Sequence, residues 1–289
     1  MVPSEIWGFF NPFSAKFRKD KNIINILKNL KCEKLHTKFC RQILGVHKKA
    51  STFGVFSELG RFPLSYNILS SMLNYWYRLE NIAPFNNIIS SAYTASKELH
   101  ENNTPSWFSS INAILEHFPN INSIKIKSVS ANTFKKQVHT ALRSLYLTHW
   151  VENRQDNLNS KLRTYTKFKC FFQRENYLSI IKNYDCRRSF SRFRISCHKL
   201  IIETGRYRNI PVDLRICSHC NSGAVGDEMH FLLFCDKFHC ERQAMLEVIN
   251  EECANFSRLL DWDKFIWLMN NENPRILSSV SKFINLYCD

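Results

Sequence analysis

Apolar residues recur at helical spacing along much of this chain. Between Lys21 and Gly45 the positions Ile23, Leu27, Leu30, Phe39 and Ile43 predict one helix, with Gly45 placed to stop it. Ser51 or Thr52 is placed to cap a short helix ending near Gly60. Pro63 then opens a long amphipathic helix whose apolar stripe is Leu69, Met72, Leu73, Trp76 and Leu79. Pro84, Pro105 and Pro119 punctuate the next stretch and separate helices near 86–102 and 106–118. Ala131 to Glu152 reads as helical again, with Phe134, Val138, Leu142, Leu145 and Trp150 at core spacing. These are packing helices, and nothing in them points to chemistry.

The polar stretch Glu152 to Ser160 divides the chain into a helical region, 1–150, and a second region, 151–289. Past it, Phe168, Phe171, Phe172 and Tyr177 are interleaved with basic residues, a pattern read first as core and second as base-stacking. On a helical wheel over Arg187 to Thr204, Arg188, Arg192 and Lys199 form a ridge, while Phe193, Cys197, Leu200 and Thr204 occupy a separate face. Ile195 and Ile202 lie near the ridge, so part of that side is expected to be buried. Gly205 should end this helix, and Arg206 to Ile216 reads as an extended connector. Asp236 to Cys253, Ser257 to Met269 and Pro274 to Tyr287 read as closing helices. The expected fold class is mainly α: a helical bundle-like region followed by a basic helix, the small zinc knuckle that the spacing of Cys217, Cys220, His230 and Cys235 predicts, and closing helices.

Composition sharpens this picture. With 44% apolar and 13% aromatic residues the chain can build real cores, and only 7 glycines and 8 prolines favour helices over turn-dense β architecture. Lys and Arg number 40 against 25 Asp and Glu, a formal charge of +15. From Lys161 to Arg208 there are 13 basic and 3 acidic residues, so most of the net charge sits in one block. A basic block beside a metal site is the footprint of phosphate-backbone binding, whereas a solvated charged face is the plainer alternative. Met1 to Phe13 lacks the basic and apolar regions of a signal peptide, and no run approaches the length of a membrane span. The expected setting is therefore intracellular, nuclear or cytoplasmic, with the 11 cysteines reduced.

The sharpest chemical signal is Cys217, Cys220, His230 and Cys235, spaced C-x2-C-x9-H-x4-C. Such a set supplies four soft or borderline donors for one structural Zn²⁺ in a tetrahedron. Gly223 and Gly226 suit the loop that folds back over the metal. Cys240 opens a rival set with Cys217, Cys220 and Cys235, while His219 and His239 read as solvated or phosphate-facing. Asp227 and Glu228 flank His230, but a base acting on metal-bound water needs an open coordination position, which a site of three cysteines and one histidine lacks. Asp261 and Asp263 straddle Trp262 at a predicted helix start. Phosphate-loop, nucleophile-elbow, metalloprotease and dinucleotide motifs are absent from the sequence.

The run Arg194-Ile-Ser-Cys-His-Lys-Leu-Ile-Ile-Glu-Thr-Gly-Arg-Tyr-Arg-Asn-Ile210, with Arg215-Ile-Cys-Ser-His-Cys220 and His230-Phe-Leu-Leu-Phe-Cys235, resembles the C-terminal region of LINE-type (non-LTR) retrotransposon reverse transcriptases. Ser4-Glu-Ile-Trp-Gly8 is similar to the segment after the polymerase thumb of that family. Phe39-Cys-Arg-Gln-Ile-Leu-Gly-Val46 and Gly54-Val-Phe-Ser-Glu-Leu-Gly-Arg-Phe-Pro-Leu64 are similar to the helical region that follows it. The resemblance implies that Cys217, Cys220, His230 and Cys235 are CCHC ligands, and that the region holds template RNA and target DNA. No Asp-Asp pair occurs, so the paired metal-binding aspartates of the polymerase are missing, and the 54 residues after Cys235 are too few for an endonuclease.

The expectation is a non-catalytic nucleic-acid-binding segment. RNA or DNA would be its partner, with neither a membrane nor a small-molecule substrate involved. Phosphates would be contacted by Arg187, Arg188, Arg192, Arg194, His198, Lys199, Arg206 and Arg208, and unpaired bases by Phe231 and Phe234. The alternatives are a folded relic of a decayed element or a zinc-dependent protein-interaction module. The RING form of the latter uses eight ligands for two zincs, where this chain offers four.

Overall fold

The computed structural model describes residues 27–81, 88–124, 126–154 and 161–287. The expectations for Met1 to Phe13, Ile23, Pro84 and most of the polar stretch ending at Ser160 lie outside the described residues.

The fold is mainly α. In chain order the helices are α1 (Lys31–Leu44), α2 (Thr52–Leu59), α3 (Leu64–Asn81), α4 (Ile88–Glu101), α5 (Trp107–Glu116), α6 (Pro119–Asn122) and α7 (Ala131–Glu152). There follow α8 (Tyr165–Phe168), α9 (Tyr177–Ile180), α10 (Tyr184–Arg194), α11 (Ile201–Tyr207), α12 (His239–Glu252), α13 (Asp261–Asn270) and α14 (Pro274–Tyr287). Among the described residues the β structure amounts to one isolated antiparallel bridge, Ile216 to Val225. No helix there is long and apolar enough to cross a membrane.

The chain forms two compact units. One joins the residues up to His36 to Phe62–Glu152, and the other joins Thr37–Arg61 to the residues from Asn153 onward. Both units are therefore discontinuous in sequence.

In the first unit α3 packs on α7. The α3 stripe Leu69, Met72, Leu73, Trp76 and Leu79 is buried, as its spacing predicts, and so are Phe134, Val138, Leu142 and Trp150 of α7. Tyr146, not Leu145, completes the α7 stripe, and its ring meets Tyr66 edge-on at 5.8 Å. Tyr77 stacks on Phe134 with ring centroids 4.6 Å apart. Buried Glu33 accepts the backbone N–H of Ser65 at 2.9 Å, placing a carboxylate at the N-terminal end of α3, where the helix dipole favours it. Ser106 caps α5 through a reciprocal pair of hydrogen bonds with Ser109.

The face that α1 buries differs from the expected one. Glu33, Thr37, Cys40 and Leu44 are buried, whereas Phe39 and Ile43 are 52% and 41% exposed. The helix turns inward the row containing its buried carboxylate and small residues.

In the second unit α10, α12 and α14 surround an aromatic core. Phe231 lies 5.8 Å from Phe193, 5.3 Å from Phe238 and 5.2 Å from Phe283, measured between ring centroids. Ser51 caps α2, and Gly60 closes it in the left-handed region at φ 59°. Phe168 and Tyr177 belong to the core, while Phe171 is exposed.

Candidate metal centre

Two local folds bring the four predicted ligands together. The first is a small hairpin. Gly226 N–H donates to Arg215 O at 2.9 Å and Cys217 N–H to Ala224 O at 2.8 Å, on either side of the Ile216 to Val225 bridge. Gly223 turns the loop at φ 70°. Gly226 has no such φ, and its role is close approach: an added Cβ would stand 2.5 Å from Ile201 Cγ2 and 3.0 Å from Cys217 Cα. Buried Arg215 braces the hairpin by donating to Ile202 O at 2.8 Å and Ile210 O at 2.9 Å.

The second is a single π-helical turn, His230–Phe234. Asp227 Oδ1 accepts the His230 N–H at 2.8 Å, and Cys235 N–H donates to His230 O at 2.8 Å. An i to i+5 bond of this kind widens the turn, and such turns recur at functional sites. Here it brings His230 and Cys235, five positions apart, into one donor group. Arg242, buried on α12, donates to the Cys235 carbonyl at 2.7 Å.

The donor atoms of Cys217, Cys220, His230 and Cys235 all lie within 4.8 Å of one another. Cys217 Sγ is 3.8 Å from Cys235 Sγ, and Cys220 Sγ is 3.3 Å from His230 Nε2. A tetrahedron with the usual zinc bond lengths has S to S edges of about 3.8 Å and S to N edges of about 3.6 Å. The group could hold a metal ion. Cys240 is exposed and lies outside the group, which sets aside the all-cysteine alternative as a preformed cluster. His219 and His239 are exposed and also outside it.

Hydrogen bonding makes these thiols unequal. Bonds from the Ser222 hydroxyl and backbone N–H lower Cys220 to about 6, and Ser222 Oγ lies 3.1 Å from its sulfur. Burial pushes Cys235 up to about 12. A divalent cation is what would draw the proton from Cys235, so metal binding and proton release are coupled in this donor set.

The helix expected over Arg187 to Thr204 is interrupted. α10 ends at Arg194, Ser196 adopts φ 53°, and α11 begins at Ile201. The break serves the residues around it. Arg194, 1% exposed, forks onto Glu58 at 2.9 and 3.0 Å, reaches Glu175 at 2.7 Å and bonds to the Met269 carbonyl. Its guanidinium also lies 4.6 Å from the Phe168 ring centroid. His198 Nε2 meets buried Glu228 at 2.9 Å, and Ser196 Oγ donates to the same carboxylate at 3.4 Å. Arg163 bridges Glu228 and Glu203, the latter at 2.9 Å. Burial alone would raise Glu228, yet His198 and the Arg163 charge hold it down at about 2.

Arg194 and His198 are thus withdrawn from the expected phosphate-contacting surface, because Arg194 pairs with the carboxylates of Glu58 and Glu175 and His198 is buried in hydrogen-bond contact with Glu228. Phe231 is corrected likewise: it is 2% exposed, while Phe234 is 43% exposed. Arg187 donates to the Ile181 carbonyl at 2.9 Å, Arg188 pairs with Asp185 at 3.4 Å, and Arg206 pairs with Glu203 at 3.2 Å, all partly exposed. Arg192 donates to Gly45 O at 2.8 Å, and Lys199 and Arg208 are exposed. Gly205 lies inside α11 instead of ending it. An added Cβ would meet Arg215 Cγ at 2.9 Å, and Asn209 takes the left-handed turn at φ 55°.

No pairing role is read from sequence for Glu58, Arg163, Arg215 or Arg242. Only Glu58 left a signal, an acid within the apolar run of α2. Comparison with protein-family models, curated proteins and solved structures returns no match for this chain.

Proposed function

We propose that this chain is a non-catalytic nucleic-acid-binding segment, organised by one structural Zn²⁺ on Cys217, Cys220, His230 and Cys235, and related to the C-terminal region of LINE-type reverse transcriptases. Three cysteines and one histidine at tetrahedral spacing favour zinc over harder cations. The cavity beside the donors is about 10 Å³, room for about one water, which fits a closed structural centre.

The observation that carries the nucleic-acid reading is how charge is sorted. In the block from Lys161 to Arg208, Glu203 is buried, and Glu175 is held by Lys169 and Arg194. Lys167, Arg174, Lys182, Lys199 and Arg208 face solvent. Interior pairing absorbs two of the three acids, Asp185 alone staying exposed beside Arg188, and the surface keeps an excess of the cations that a polyphosphate backbone requires. Phe171 and Phe234 are exposed aromatics able to stack on bases. The burial of Arg194 and His198 in structural pairs favours a second reading, in which the chain is a folded relic without affinity of its own. A binding titration against a protein of equal charge separates the two.

A further inference from the structure

The loop between α1 and α2 lies outside the basic block read from the sequence, yet it carries its own positive charge and is met by Lys161 and Arg192 of that block. Three cationic side chains grip its carbonyls. Arg192 Nε donates to Gly45 O at 2.8 Å, Lys161 Nζ to Lys49 O at 3.0 Å, and Arg41 Nη2 to Ala50 O at 2.8 Å. Arg41 Nη2 also reaches Thr52 Oγ1 at 3.1 Å. The loop itself presents His47, Lys48 and Lys49, all exposed.

This arrangement runs against ordinary surface electrostatics, in which exposed charges of both signs are interspersed. None of Arg41, His47, Lys48, Lys49 and Lys161 has a carboxylate partner among the described residues. Burial, and then the charges of Lys161, Arg192, Arg41 and Lys49 in that order, lower the pKa of His47, so these cations share one field. Gripping the backbone fixes the loop while leaving the side chains of Lys48 and Lys49 directed elsewhere. A fixed loop of clustered cations, followed by the N-terminus of α2, matches a ligand that brings several negative charges together.

We propose that the Gly45–Ser51 loop, with Arg41, Lys161 and Arg192, is a seat for the phosphodiester backbone of a nucleic acid strand. A repeating anion fits better than a single one, because the cations come from the loop, from α1, from α10 and from the segment before α8. Arg192 belongs both to this seat and to the basic surface of α10, which makes the two continuous. The inference rests on the nucleic-acid reading above and adds a location that the sequence did not disclose.

The test uses the full zinc-loaded chain and a labelled oligouridylate. Lysine acetylation followed by mass spectrometry should show Lys48, Lys49 and Lys161 protected by the oligonucleotide, with exposed Lys282 still reactive. The variant Lys48→Ala/Lys49→Ala leaves the gripped carbonyls in place and should lower the slope of log affinity against log salt by about 1.4, at about 0.7 per single-strand phosphate contact. Binding with no protection at these lysines and an unchanged slope overturns the seat and leaves the nucleic-acid reading standing. Failure of the unmodified chain to bind the oligonucleotide overturns that reading itself. Binding to anionic phospholipid vesicles in its place overturns the choice of ligand.

Discussion

Arg194 forks onto Glu58 across 136 residues of chain, with both partners fully buried. This ion pair ties α2 to α10 and is one reason Thr37–Arg61 belongs with the C-terminal unit. Removing one member strands a charge in the interior, whereas an isolated lysine cannot reproduce the two-pronged geometry. Arg194→Met should therefore cost about 3–5 kcal/mol in chemical denaturation. Arg194→Lys should also destabilise, and Arg194→Met/Glu58→Leu should lose less than the sum of the single changes. Additive losses would show that the pair is not coupled.

The metal centre predicts one zinc per chain by elemental analysis of the purified protein. Cys217→Ser and His230→Ala should abolish stoichiometric binding, and Cys240→Ser should retain it. Chelation should disorder the hairpin and the α12 contact through Arg242, seen as a loss of near-ultraviolet circular dichroism. Full zinc retention in His230→Ala together with loss in Cys240→Ser would move the fourth ligand to Cys240.

Gly226 offers a steric test of how closely α11 and the hairpin approach. In Gly226→Ala the new methyl collides with Ile201 and with the Cys217 backbone, and backbone cannot step aside cheaply. A loss of about 1–3 kcal/mol is expected from overpacking, together with weakened zinc affinity. Gly223→Ala meets nothing within 4 Å and should suffer only from its φ of 70°, a milder cost of about 1 kcal/mol. Equal effects at the two sites would argue against close packing at Gly226.

In the first unit Glu80 bonds to Tyr93 and pairs with Lys97 at 2.8 Å. Burial opposes its charge, but the bonds from Lys97 and Tyr93 prevail and hold its pKa below the ordinary 4.5. A depressed acid contributes stability that is present above its unfolded value and lost as pH falls through its folded one. Glu80→Gln should therefore be less stable than the unmodified chain at neutral pH, and the gap should close as pH drops below 4.5. A gap that stays constant across this range would mean the carboxylate charge is not what stabilises the contact.

Where side-chain periodicity alone decides structure, the sequence was readable. The stripes of α3 and α7, the Ser51 and Gly60 ends of α2 and the closing helices α12 to α14 follow from it. The grouping of Cys217, Cys220, His230 and Cys235 was readable too, because metal-ligand spacing is local and chemically restrictive. Long-range pairing was not. Membership of the basic block puts Arg194 among the expected phosphate contacts, whereas its environment is set by Glu58 and Glu175 from elsewhere in the chain. The inward row of α1 was hidden for the same reason, since buried Glu33 is satisfied by the backbone of Ser65. No periodicity announces a π-helical turn, which depends on one backbone bond between Cys235 and His230.

The most direct measurement is a binding titration of the zinc-loaded chain against a structured RNA and a duplex DNA of equal charge, at several salt concentrations and beside a charge-matched control protein. Tighter binding than the control, a steep fall with salt and a preference for the RNA are expected. Affinity no better than the control would contradict the nucleic-acid reading and leave a folded chain with no hold on nucleic acid.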